Sequence, residues 1–186
     1  MQLHTVIDLE TMGTHPLSAI VSIGAAKFFP AGNGDDTIEI VDEFYINISL
    51  HSAMRLGSKI DAGTVLWWMK QDGAARNALL TNTVPQEEAL VQFSEWLVKD
   101  GGSSNVWGNG PSFDNVILTS AYRAIGKESP WRYTNDRCLR TLRMLGKAAG
   151  VVDVPFEGDK HNALADAKHE ARIIRNIYAK MGLKAS

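Results

Sequence analysis

Five residues of this chain are of types that do chemistry, at spacings that bring them together. Asp8 and Glu10 stand two apart in an apolar, β-branched run, so the two-residue period of a strand puts both carboxylates on one face. Asp114 opens a helical run in which it lines up with Leu118, Ala121 and Ile125, the stripe expected to face the core. A carboxylate on such a stripe must be paired, neutralised or metal-bound, because an unpaired buried charge is strongly destabilising. His161 and Asp166 stand in "HNALADA", where alanines at 163, 165 and 167 leave room for a ligand or another element.

Hard cations prefer oxygen ligands, and Mg²⁺ or Mn²⁺ takes a few carboxylates plus water and phosphate oxygens. Four carboxylates suit two divalent metal ions. Two such ions, about 3.5–4 Å apart, clamp the attacking and leaving oxygens of an in-line displacement at phosphorus. A histidine can take the proton from the attacking water. The glycines before Asp114 allow a rival reading, because Gly108-Asn109-Gly110 resembles the start of a dinucleotide-binding loop. The third glycine of that loop is missing, and Phe113 stands in its place.

Elements must carry these residues to one place. Residues 3–9, 19–29 and 37–48 read as three strands, the last two joined by a Gly-, Asn- and Asp-rich turn at 31–36, and short links suggest an antiparallel meander. Past about residue 60 the period becomes helical, with short helices expected over 61–71 and 73–80. A stronger helix is expected over 85–99, with Thr83 as its N-cap and Gln86 completing a capping box. Residues 105–108 form a short buried-type strand. Helices follow over 113–125, 136–149 and 163–181, the last ending at Gly182. The expected fold is an α/β domain with a mixed sheet: three antiparallel strands first, then one or two further strands, flanked by helices.

Composition limits the function classes. A length of 186 residues suits a single domain, and 45% hydrophobic content with 22% charged residues is ordinary for a soluble globular chain. The one cysteine excludes a disulfide framework and a thiolate zinc cluster, and fits a reducing, cytoplasmic setting. No secretory leader or membrane-length apolar run is expected. A formal net charge of −2 speaks against holding duplex DNA by bulk positive charge, although two bound divalent ions would supply a local positive field.

"VIDLET" (6–11), "GNGPSFDN" (108–115) and "HNALADA" (161–167) resemble, in order, the three motifs of the DEDDh branch of DnaQ-like, RNase H-like 3′–5′ exonucleases. "NDRCLRTLRML" is similar to the segment such proteins carry between the second and third motifs, with Arg137 where Thr is usual. "TVLWWMKQ" and the short length look like the compact subgroup of small exoribonucleases and prophage exonuclease VIII-like proteins.

The resemblance implies an RNase H-like mixed sheet, metal ligands at Asp8, Glu10, Asp114 and Asp166, and a general base at His161. It implies a single-stranded RNA or DNA 3′ end as substrate, RNA slightly preferred, and a nucleoside monophosphate as product. A homodimer is expected on the same ground. Leu9, Thr11 and Met12 would hold the terminal nucleotide, with Asn109 and Phe113 beside it. Of the adjacent Trp67 and Trp68, at most one faces substrate, since helical neighbours point about 100° apart. Arg140, Arg143 and Lys147 form a basic stripe at helical spacing, read more readily as a solvated face than as a phosphate grip. A module of this fold without catalysis, and a dinucleotide-binding oxidoreductase, are the rival readings.

Overall fold

The computed structural model describes residues 3–30, 40–99, 105–158 and 161–184. The turn expected at 31–36 and the first residues of the third strand lie outside the described residues. A six-stranded sheet runs through the molecule in the order β4-β3-β2-β1-β5-β6. β1 (His4–Thr11), β2 (Ile20–Phe28) and β3 (Ile40–Ile48) form the expected antiparallel meander. β5 (Asn105–Gly108) joins β1 in parallel, β6 (Asp136–Cys138) joins β5 in parallel, and the two-residue β4 (Thr83–Val84) extends the far edge beside β3.

Seven helices are described: α1 (Leu50–Arg55), α2 (Ala62–Trp68), α3 (Gly73–Ala78), α4 (Gln86–Val98), α5 (Asp114–Ala124), α6 (Leu139–Ala148) and α7 (Ala163–Met181). They divide the core between the two faces of the sheet. Ile7, Leu9 and Ile23 pack with Leu90 and Phe93 of α4 and with Ile117 and Leu118 of α5. Val6, Ala26 and Phe28 point the other way, onto Ala167, Ala171 and Ile174 of α7. Covered on both sides, β2 buries all nine of its residues, which is why it reads as an unbroken apolar run rather than an alternating one.

This alternation decides where the chemistry sits. Asp8 and Glu10 continue the Val6 side of β1, so both face α7. Gly24 is the cross-strand partner of Asp8. A Cβ at Gly24 would overlap the backbone of Ala163 and Leu164, so the bare glycine is what lets the first turn of α7 lie directly on the sheet.

Two elements differ from expectation. Thr83 does not cap α4. It belongs to β4, and the amide of Gln86 is capped from another helix, by the Ser52 hydroxyl at 2.9 Å. The stretch expected as helix from residue 136 begins as β6, and the helix starts at Leu139. A side chain fixes Asp136 there: its carboxylate accepts from Asn115 at 2.6 Å and from the Trp131 indole at 2.9 Å. Helix α7 runs as expected, with Asn162 accepting from the amides of Leu164 and Ala165 and Gly182 in the left-handed conformation after it.

Candidate active site

The C-terminal end of β1 brings the carboxylates together. One oxygen each of Asp8, Glu10 and Asp166 lies within 4.8 Å of the others. Asp114 comes from the other side of β1, at the start of α5. Its carboxylate accepts the Leu9 amide at 3.3 Å, which ties the helix to the strand between the two acidic residues. Gly108 makes this turn possible, since a Cβ there would sit 2.5 Å from the Asn115 side chain and 3.1 Å from Asp114 Oδ2. Asp114 is 3% exposed and Leu118 fully buried, so the stripe containing a carboxylate does face the core.

Burial and mutual repulsion push these acids toward their neutral forms. Burial raises Glu10 most, the charges of Asp166 and Asp114 add to it, and its pKa reaches about 8. Asp8 rises well above the carboxylate range through burial and then through Glu170, Asp114, Glu10 and Asp166. Burial also raises Asp114, against the lowering effect of the amides it accepts. An oxygen-only donor set that repels itself fits divalent cations, which relieve that repulsion.

A pH dependence follows. A carboxyl whose pKa is raised on folding binds its proton more tightly folded than unfolded, so it favours the fold at low pH. That contribution is lost as pH rises from the unfolded value near 4.5 through the folded value of about 8 at Glu10. The melting temperature of chelator-treated protein is therefore expected to fall across this range, and saturating Mg²⁺ or Mn²⁺ to flatten the fall. Thermal denaturation with and without the ion checks it, and equal profiles would contradict it.

A fifth carboxylate completes the cluster and was missed in the sequence. Glu170 lies four residues beyond Asp166, is 5% exposed, and leaves Oε2 without a hydrogen-bond partner. Burial raises its pKa first, then Asp114 and Asp166, while Arg143 and the Asn109 side chain oppose the rise. The signal was available. Glu170 falls on the same buried stripe as Ala163, Ala167, Ala171 and Ile174, the pattern that singled out Asp114.

His161 stands just before α7 with φ 62°, a left-handed conformation that costs a non-glycine residue about 1 kcal/mol. Its ring meets Trp67 edge to face, with centroids 5.0 Å apart, and Trp68 at 6.3 Å. Such contacts are worth about 0.5–1.5 kcal/mol each, enough to offset the backbone cost. The two tryptophans have divided their tasks. Trp68 is 4% exposed and donates its indole N–H to the Thr11 carbonyl at 3.0 Å, whereas Trp67 is 42% exposed at the mouth of the site.

That mouth is a cleft of about 480 Å³ beside the carboxylates, lined by Leu9, Glu10, Thr11, Trp67, Trp68 and Phe113 among others. Its volume falls within the range of roughly 300–1,000 Å³ that small-molecule sites occupy. Met12 and Asn109 are not among the residues that line this cleft. Met12 packs against the clusters of β1 and α2, and its backbone joins Ala19 and Asp61. Asn109 turns its side chain toward Glu170 and its carbonyl toward Arg140. The Gly108–Gly110 loop thus delivers Asp114 and Phe113, and the antiparallel half of the sheet is not the all-parallel sheet of a dinucleotide-binding fold.

Known proteins share this architecture. The nuclease domain of 3'hExo, a DEDDh family member bound to rAMP, matches with a TM-score of 0.65 at 13% identity, covering 100% of this chain and 95% of that one. E. coli Exonuclease I in complex with a dA16 oligonucleotide matches at 0.66 and 12% identity, over 98% of this chain and 42% of that one. Exonuclease X in complex with 5' overhanging duplex DNA matches at 0.60 and 19% identity, over 98% and 95%. In sequence, an exodeoxyribonuclease of Enterobacteria phage T4 is 26% identical, over 73% of this chain and 68% of that protein. The model of the 3'-5' exoribonuclease Rv2179c-like domain matches residues 3–178, a span that takes in all five clustered motif residues. The chain belongs to this Rv2179c-like domain family and is a 3′–5′ exonuclease.

Proposed function

We propose that the protein trims single-stranded 3′ ends with two divalent ions, Mg²⁺ or Mn²⁺, releasing one nucleoside monophosphate at a time and preferring RNA. The observation that carries this is the meeting of Asp8, Glu10 and Asp166 oxygens within 4.8 Å, beside a nucleotide-sized cleft. The family's description as exoribonuclease supports the sugar preference. A cytoplasmic setting and a homodimer belong to the same proposal.

Asp8, Glu10, Asp114 and Asp166 would hold the ions. Bound there, divalent ions neutralise phosphate charge and acidify the attacking water. The chain's own residues do the rest. Leu9, Thr11 and Phe113 seat the terminal nucleoside in the cleft. His161 takes the proton from the water, and Trp67, which packs edge to face against the imidazole, also forms the cleft wall. Trp67→Ala is accordingly expected to lower kcat about tenfold, the value of one edge-to-face contact, with Trp67→Phe recovering most of it. Steady-state kinetics would show a change in KM alone if Trp67 served binding only.

The direct test is a digest of 5′-labelled single-stranded RNA and DNA, and of duplexes, with either ion. The expected result is a ladder shortening from the 3′ end, fastest on single-stranded RNA and abolished by chelation. Intact 3′ ends, or cleavage indifferent to chelator, would overturn the proposal.

A further inference from the structure

The basic stripe of α6 does not simply face solvent. Arg140 lies in its first turn, at the same end of the parallel strands as the carboxylates. Its guanidinium donates to the Asn109 carbonyl at 2.8 Å and its charge opposes the pKa rise of Asp114. One turn on, Arg143 acts in the same way on Glu170. Lys147 continues the face a further turn away. At 1.5 Å per residue, the three cations span about 10 Å leading away from the cluster.

They line one side of a surface groove of about 740 Å³, with Met144, Val151 and Val152 as its apolar lining. Met144 is 63% and Val152 81% exposed, so two large apolar side chains stand open to solvent in the same groove. Asp153 pairs with Arg143 at 2.6 Å, so three cations face one carboxylate and the groove stays net positive. This charge stands out on a chain whose formal net charge is −2.

We propose that this groove binds the few nucleotides upstream of the 3′ end that sits in the catalytic cleft, and that it selects single strands. The proposal rests on the exonuclease reading of that cleft. A polyanion complements the cations, and its unpaired bases have apolar faces to lay on Met144 and Val152. A duplex offers the same phosphates but keeps its base faces stacked inside, so it gains only the electrostatic half.

The test measures binding rather than cleavage, on protein carrying Asp8→Asn, with fluorescent single strands of two, four and six nucleotides and a duplex. Affinity is expected to climb with single-strand length. Lys147→Glu should flatten that climb and lower the slope of log affinity against log salt by about 0.7, one phosphate contact on a single strand. Met144→Asp should weaken the hexanucleotide several-fold while leaving the duplex nearly unchanged. Equal losses on dinucleotide and hexanucleotide, or none, would overturn the proposal. So would a change of oligomeric state in either variant on size exclusion, which would assign the groove to a second copy of the chain. Failure of the digest described above leaves these binding results readable, so the two ideas can fail separately.

Discussion

Asp8→Asn is expected to abolish trimming of 3′ ends and, in the absence of divalent ions, to raise the melting temperature. The two effects have one cause. Asp8 sits among Glu170, Asp114, Glu10 and Asp166, all of which push its pKa upward on top of burial. Metal-free, this is a knot of like charges that the fold tolerates at a cost to stability, and the amide removes one of them without changing shape. With ions bound as proposed, the same change would remove a ligand from the centre that neutralises phosphate charge. Several kcal/mol of transition-state stabilisation are lost, so the rate should fall by about three orders of magnitude or more. Gel assays of labelled RNA and thermal denaturation in chelator read the two halves independently. A variant retaining a tenth of the wild-type rate would show that Asp8 is not a required ligand. One that melts earlier without metal would show that the cluster is not repulsive.

Gly24→Ala is expected to be the most damaging single methyl group in the molecule. The added Cβ would overlap the backbone of Ala163 and Leu164, with no flexible side chain in the way to yield. Overpacking of a core commonly costs 1–3 kcal/mol, and a backbone-on-backbone overlap should reach about 3 kcal/mol or more. The only relief is to lift the first turn of α7 off the sheet. That turn carries Asp166 and follows His161, so relief of the clash withdraws both from Asp8 and Glu10. The expected result is a protein that unfolds at lower denaturant and, where folded, no longer gains stability from Mg²⁺ or Mn²⁺. Full activity with unchanged denaturation would mean that α7 does not dock as described.

Much of the site was legible because its carboxylates break rules. Two acids on one strand face, and an acid on an apolar helix stripe, are local anomalies that a single sequence displays. The resemblance to DEDDh exonucleases added the roles of those residues. The three-strand opening and α7 were legible for the opposite reason: their periods obey the rules over long runs. What was not legible depends on distant partners. Three residues cannot show a strand period, so β6 passed for the first turn of α6, and it is the pairing with β5 together with Asn115 and Trp131 that holds Asp136 in place. The capping pattern at Thr83 was satisfied in sequence, but Ser52 does the capping across space. The basic stripe on α6 was read as solvated because nothing in its spacing says that Arg140 and Arg143 end up beside Asp114 and Glu170.

The carboxylates that meet on β1 are drawn from positions separated by most of the chain, with Asp166 and His161 on or beside α7. Domains are synthesised from the N-terminus and their long-range contacts form late. A partly made chain therefore displays Asp8 and Glu10 on an unfinished sheet, without His161 and Asp166. The carboxylate cluster is complete only when α7 docks onto Gly24. On the proposed reading of the site, the order of synthesis thus withholds activity until α7 has been made, without any inhibitor.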